Sequence, residues 1–312
     1  KATQSQAAEP PVEQVRALLA LFNQGAMDQA EPLARALTER YPSYGFGWVV
    51  LGAILKTQDR AGEAVVAMTR AVQLLPDDAE AQNNLGAVLK DLGRYDEADV
   101  ALRRAVALAP AYPEAHNNLG ANQQSQGRLS EAVQSLQRAL TLRPDYAEAS
   151  YNLGSVYKDM GRLVEAEEAL RHALACKPGL LDAQSTLLFT LNYGGIWSAG
   201  LRLAEAHAYG AMVRRVAGEP FKQWRVAVKP KRLRVGVVSG DLRAHPVGYF
   251  LEGVLAHLKT AALELVAYST TEKTDAVTDK LRTHFAQWHS IAGMSDQRAA
   301  QRIHEDGIHI LL

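Results

Sequence analysis

Cysteine is nearly missing from this 312-residue chain, where Cys176 stands alone. One thiol closes no internal disulfide, which suits a reducing compartment, and a cytoplasmic location is expected. Net charge is missing too, with 34 basic against 34 acidic side chains. That balance exerts no global pull toward nucleic acid or membrane, and neither is expected as a partner. No apolar run reaches the roughly 18 residues that a membrane-spanning helix needs. The chain starts at Lys1 rather than Met, which leaves room for a removed targeting segment. Several chemical signatures are absent: Gly-x-Gly-x-x-Gly, the P-loop and the Gly-x-Ser-x-Gly elbow. His284 and His289 lie five residues apart, with no Cys or carboxylate to complete a metal set, so no metal is expected. Single histidines on predicted helices (His172, His207, His257, His304) read as ordinary surface or core residues.

What is present is a repeat. The chain is long enough for two or more domains, and at 47% apolar residues it has ample material for packed cores. Gly52, Gly86, Gly120 and Gly154 are spaced by 34 residues, as are Pro42, Pro76, Pro110, Pro144 and Pro178. Ala64, Ala98, Ala132 and Ala166 keep the same step, each preceded by Glu. Gly93, Gly127 and Gly161 mark a turn inside each unit, a place held by Gly25 and Asp59 in the first two. A 34-residue helix–turn–helix unit ending in Pro is the tetratricopeptide pattern. Five units are expected over residues 11–178: Pro11–Pro42, Ser43–Pro76, Asp77–Pro110, Ala111–Pro144 and Asp145–Pro178. Leu187 and Gly195 hold the phase of a degenerate sixth unit over Gly179–Met212, and residues 179–230 form a bridging segment. The Gly and Ala positions let helices approach closely, and Leu85, Leu119 and Leu153 supply core. One unit cannot bury its own apolar face, so units stack into a superhelix with the first helices on its concave side.

Asn84, Asn118 and Asn152 recur at one position of three first helices, and Asn83 and Asn117 precede two of them. Asn is about 0.6 kcal/mol worse than Ala in a helix interior. Two readings compete evenly. In one, the amides face the groove and bond the backbone of an extended acceptor peptide. In the other, they bond only their neighbours. Val50 stands at this place in the second unit, so any ladder stops there.

From residue 231 the character changes. The basic stretch before it (Lys222, Arg225, Lys229, Lys231) reads as a solvated linker. Val235–Val238 reads as a buried parallel strand, broken by the loop residues Ser239-Gly240-Asp241. After Pro246 a helix is expected to Leu258, with Phe250, Leu251, Val254, Leu255 and Leu258 on one face. Further expected elements are strand Leu263–Tyr268, helix Asp275–Ala286, short strand Trp288–Ile291, helix Asp296–Asp306 and strand Ile308–Leu312. Strand–helix alternation predicts a parallel sheet with right-handed crossovers. Some eighty residues make half of a nucleotide-binding lobe, so Leu312 is expected to cut through a domain. His245 sits on the strand-end loop, where ligands of open α/β sheets bind, and beside a helix start.

The Asn-Asn-Leu-Gly units, Leu233–Phe250 with His245-Pro246, and Arg302–Leu312 together resemble the tetratricopeptide-containing O-GlcNAc transferase family. The resemblance covers nearly the whole chain. It implies an α/β Rossmann-like lobe of a GT-B glycosyltransferase after the all-α superhelix, with residues 231–312 as the first part of the N-terminal lobe. It implies a nucleotide-sugar held between two lobes, UDP-GlcNAc first among the donors, and inverting metal-free transfer to Ser or Thr of protein acceptors. His245 matches the family's active-site histidine, as base or positioning group, and His289 a second histidine near the acceptor. The second lobe, with its diphosphate-binding Lys, is not in this sequence. His245-Pro-Val-Gly-Tyr-Phe-Leu also resembles the SPINDLY branch, which implies fucose from a guanosine nucleotide. A non-catalytic repeat scaffold is the remaining alternative.

Overall fold

The computed structural model describes residues 9–193, 195–217, 219, 221–223, 226, 229–258 and 262–312. Of the residues named above, Lys1 and Arg225 lie outside this set. Two compact units divide between Val213 and Arg214, inside the last helix of the array.

The first unit is built of helix pairs on the 34-residue frame. They are α1 (Val12–Asn23) with α2 (Met27–Arg40), α3 (Gly45–Thr57) with α4 (Ala61–Leu74), and α5 (Ala79–Asp91) with α6 (Tyr95–Leu108). Then come α7 (Pro113–Ser125) with α8 (Leu129–Leu142), α9 (Ala147–Asp159) with α10 (Leu163–Cys176), and α11 (Leu181–Tyr193) with α12 (Ala199–Val216). Each turn is local chemistry. Gly93 has φ +72°, and its N–H bonds Lys90 O at 2.9 Å while Arg94 N–H reaches back to Leu89 O at 2.9 Å. This paired closure satisfies carbonyls left over at the helix end, and its left-handed residue is cheapest as Gly. Asp59 holds the same place with φ +57°, a conformation that Asp tolerates better than most residues with a Cβ.

Packing follows from the small residues. A Cβ on Gly86, Gly120 or Gly154 would meet the Cγ of Leu102, Leu136 or Leu170 at 2.5, 2.6 and 2.7 Å. Those three leucines are fully buried, each contributing about 1.5–3 kcal/mol by area. Leu119 and Leu153 are core, while Leu85 is half-buried at the edge of two clusters. The sixth pair departs from the frame. Tyr193 ends α11 and Ala199 begins α12, a wider spacing than that between Asp91 of α5 and Tyr95 of α6. Leu187 is buried, yet in α12 only Met212 is, so the pair is anchored mainly by its first helix.

The second unit carries β1 (Leu233–Ser239), α13 (Pro246–Leu255), β2 (Leu263–Ser269), α14 (Ala276–Arg282), β3 (Gln287–Ser290), α15 (Asp296–Glu305) and β4 (Ile310–Leu311). The strands form one parallel sheet in the order β3-β2-β1-β4. Leu242, Leu255, Val277 and Leu281 join Val235, Leu265 and Ala267 in one core cluster. Ile303, Ile308 and Ile291 gather with Val266 and Tyr268 in another, so α13 and α14 cover one face of the sheet and α15 the other. The change of direction from β2 and β3 on one side of β1 to β4 on the other is the switch point of open α/β sheets.

Two local expectations change. α13 ends at Leu255, and it buries Gly248 and Leu255 with Leu251 half-buried, while Phe250 is 71% exposed and Val254 and Leu258 are also outside. The apolar pattern overstated the buried face because the helix packs by its glycine. α14 stops at Arg282, since Ala286 N–H already joins the sheet through Leu265 O at 2.8 Å. Ser295 caps α15, accepting from Arg298 N–H, and Asp296 is the first residue of the helix.

Candidate functional site

The loop between β1 and α13 opens at the carboxyl edge of the sheet, where Ser239, Ser269 and Ser290 stand level in register. Ser239 Oγ accepts from Asp241 N–H at 3.0 Å, turning the chain out of the strand. Leu242 is buried and pins the loop to the core. The first turn of α13 presses hard on the loop: a Cβ at Gly248 would lie 2.0 Å from Arg243 O. Only Gly permits that approach without moving backbone.

His245 is the N-cap of α13, in extended backbone with φ −150° and ψ 151°. Its Nδ1 accepts from Val247 N–H at 3.3 Å, a long cap bond. Asp241 Oδ2 stands 3.6 Å from the same Nδ1. Both side chains are about 40% exposed (39% and 40%), so the ring is reachable. The two contacts ask for different tautomers. Accepting from Val247 leaves the proton of an uncharged ring on Nε2; pairing with Asp241 moves it to Nδ1 and frees the Nε2 lone pair. Asp241 is the residue that sequence reasoning missed. It lies four positions before His245 in the same polar loop, and only the loop's turn at Ser239 brings it to the ring.

His289 lies elsewhere. It is in β3, paired in register with Tyr268, and it faces the α15 side, opposite the helix that His245 caps. Its Nδ1 is 3.1 Å from an Arg302 Nη and its Nε2 3.8 Å from Asp306 Oδ2. Asp306 also accepts from Tyr268 Oη at 2.8 Å and from Arg302 Nε at 3.0 Å. Burial first, and the Arg302 charge second, hold the His289 pKa below its ordinary value. Burial and Asp306 push the Tyr268 phenol well above the usual range. His245 thus caps the helix that packs on one face of the sheet, and His289 lies on the other face.

The asparagines bond in pairs across repeat boundaries. Asn118 Nδ2 donates to Asn83 Oδ1 at 2.8 Å, and Asn152 Nδ2 to Asn117 Oδ1 at 2.9 Å. Asn83 and Asn117 are buried, whereas Asn84, Asn118 and Asn152 are half-buried. For Asn84 the acceptor's place, 35 residues back, is held by Val49, and its Oδ1 receives only a 3.4 Å contact from Asn83. Among the described residues, no group of three or more His, Cys, Asp or Glu side chains is arranged to hold a metal ion, and no helix is long and apolar enough to cross a membrane.

Comparison with known proteins bears on both units. The sequence model of Glycosyl transferase family 41 matches residues 201–312. The TPR repeat model matches residues 88–126 and 124–161, and the Tetratricopeptide repeat model residues 147–179. Two curated proteins, the probable UDP-N-acetylglucosamine–peptide N-acetylglucosaminyltransferases SPINDLY of Petunia hybrida and Solanum lycopersicum, are each 32% identical over 117 residues, which is 36% of this chain and 12% of theirs. A variant of the O-GlcNAc transferase of Thermobaculum terrenum superposes with TM-score 0.62 at 32% identity, over 75% of this chain and 45% of that one. The Cut9–Hcn1 hetero-tetramer of APC/C, at TM-score 0.59 and 20% identity over 65% of this chain and 40% of that one, shares the repeat fold alone.

Proposed function

Starting from a chain that joins tetratricopeptide repeats to a segment of glycosyl transferase family 41, we propose that the protein moves a sugar, GlcNAc from UDP-GlcNAc, onto Ser or Thr hydroxyls of protein acceptors. The observation that carries this reading is His245: an accessible imidazole with a carboxylate beside it, on the strand-end loop next to the switch point. In the reaction the acceptor oxygen bonds the anomeric carbon, the bond from that carbon to the diphosphate breaks, and the hydroxyl loses its proton. With Asp241 accepting from Nδ1, His245 Nε2 is free to accept that hydroxyl and orient or deprotonate it. The N-terminus of α13 favours the negative charge that grows on the leaving diphosphate. A second lobe completes the donor pocket and closes around the nucleotide.

Acceptors run along the first helices of the array. Because the Nδ2 groups of Asn118 and Asn152 are already bonded between repeats, each of these offers a peptide its Oδ1, an acceptor for a backbone N–H. Such contacts give affinity with little sequence preference.

The test is His245→Ala in the intact enzyme. Its cap bond is long and exposed, so folding loses only about 0.5–1 kcal/mol, while transfer from UDP-GlcNAc falls to near background. Near-normal turnover removes His245 from the site, and turnover with GDP-fucose but not UDP-GlcNAc overturns the donor.

A further inference from the structure

One carboxylate in the second unit bonds more than its helix requires. Asp275 is the N-cap of α14, and its Oδ1 accepts from Val277 N–H at 2.9 Å and Thr278 N–H at 3.0 Å. Thr278 Oγ1 accepts in return from Asp275 N–H at 3.2 Å, closing a reciprocal box. That satisfies the helix start, and it uses one oxygen. The other oxygen, Oδ2, accepts from Ala244 N–H at 2.7 Å, 31 residues earlier in the chain. Ala244 immediately precedes His245. Beside this bond, Thr278 Oγ1 donates to Leu242 O at 2.9 Å, and Thr278 is 1% exposed.

We propose that Asp275 is a positioning residue for His245, its second oxygen fixing the Arg243–Ala244 peptide plane, one residue ahead of the histidine. The inference rests on the reading that His245 serves transfer. Its physical content is simple. The Arg243–Ala244 peptide ahead of His245 is held by Asp275, and the peptide leaving it is held by Tyr249 N–H, which bonds His245 O at 3.0 Å, and by Pro246, whose ring restricts φ. With the chain held on both sides, the backbone that carries the His245 ring is confined before any ligand arrives, and Asp241 needs only to select the ring tautomer. The carboxylate form suits this task, since bonds from Ala244 N–H first, then from the α14 backbone, hold the Asp275 pKa below its ordinary value. A neutral cap would serve α14 equally well. Only a two-oxygen acceptor serves the helix and the loop together.

Two substitutions separate those roles. Asp275→Asn keeps an acceptor for α14 but turns an N–H donor toward Ala244 N–H. Asp275→Ser also caps helices well and is too short to reach Ala244. In the intact enzyme we expect both to keep the melting temperature within about 3 °C. Both should lower kcat by about 10- to 100-fold, with KM for the sugar nucleotide little changed, as expected for misplacement of a reacting group. Amide hydrogen exchange at Ala244 should accelerate in both, and the ring ¹⁵N signals of His245 should shift. Unchanged exchange at Ala244 overturns the bond itself. Accelerated exchange with wild-type kcat overturns the positioning role. If His245→Ala turns over normally, the underlying reading has failed and this role fails with it, and the exchange data still report whether the bond exists.

Discussion

Removing the Asn118 side chain should weaken the array, even though Ala is the better helix former. Asn118→Ala deletes the donor that reaches Asn83 Oδ1 at 2.8 Å, and Asn83 is 5% exposed. A buried carbonyl left without its donor costs about 1–3 kcal/mol. The helix regains about 0.6 kcal/mol from the substitution. The net loss is therefore about 0.4–2.4 kcal/mol. Asn84→Ala is the internal control. No Asn precedes it one repeat back, and its one contact is 3.4 Å long, so the change should be neutral or stabilising by about 0.6 kcal/mol. Urea unfolding followed by far-UV circular dichroism gives the totals. Hydrogen exchange in α5 and α7 gives the local opening, because stacked repeats need not unfold as one. Equal stability of the two variants would refute the inference that the inter-repeat amide bond carries weight. Activity on one long and one short acceptor then separates roles: loss on the long acceptor beyond what the lost stability explains assigns the Oδ1 atoms to peptide binding.

The glycines allow a matched pair: Gly120→Ala drives a Cβ to 2.6 Å from Leu136 Cγ and 3.1 Å from Ala132 O, whereas Gly62 has nothing within 4 Å. Overpacking costs about 1–3 kcal/mol against a helix gain of about 1 kcal/mol, so Gly120→Ala should lower the denaturation midpoint and Gly62→Ala should raise or preserve it. His289 makes a pH prediction with a definite sign. Its folded pKa lies below the ordinary 6.5, so the unfolded chain binds the proton first. Its contribution is complete above that value and is lost as pH falls through the window toward the folded pKa. His289→Gln should flatten that part of the stability profile, and an unchanged slope would show that His289 does not titrate differently on folding.

The repeat array was legible in the sequence because its determinants are local and periodic. A turn needs a left-handed residue at Gly93, Gly127 and Gly161, a close helix pair needs Gly86 opposite Leu102, and every unit repeats the demand. The parallel sheet was legible for a related reason: Val235–Val238 and Leu263–Tyr268 are short apolar runs set between helical stretches. His245 stood out because a strand end, a loop and a Pro-led helix start are adjacent in the chain.

What the tertiary structure decided lies in contacts between residues far apart in sequence, or in the direction of a single side chain. Asp241 faces His245 only because the loop turns at Ser239, and Asp275 reaches Ala244 only because α14 packs beside α13. The side of the sheet taken by His289 depends on register with Tyr268. Asn84, Asn118 and Asn152 look equivalent in sequence, yet two donate across a repeat boundary and one does not, because Val49 offers no acceptor. Composition and period determined which helices and strands form. Hydrogen bonding between elements, which carries no period of its own, decided which of their polar groups remain free to act.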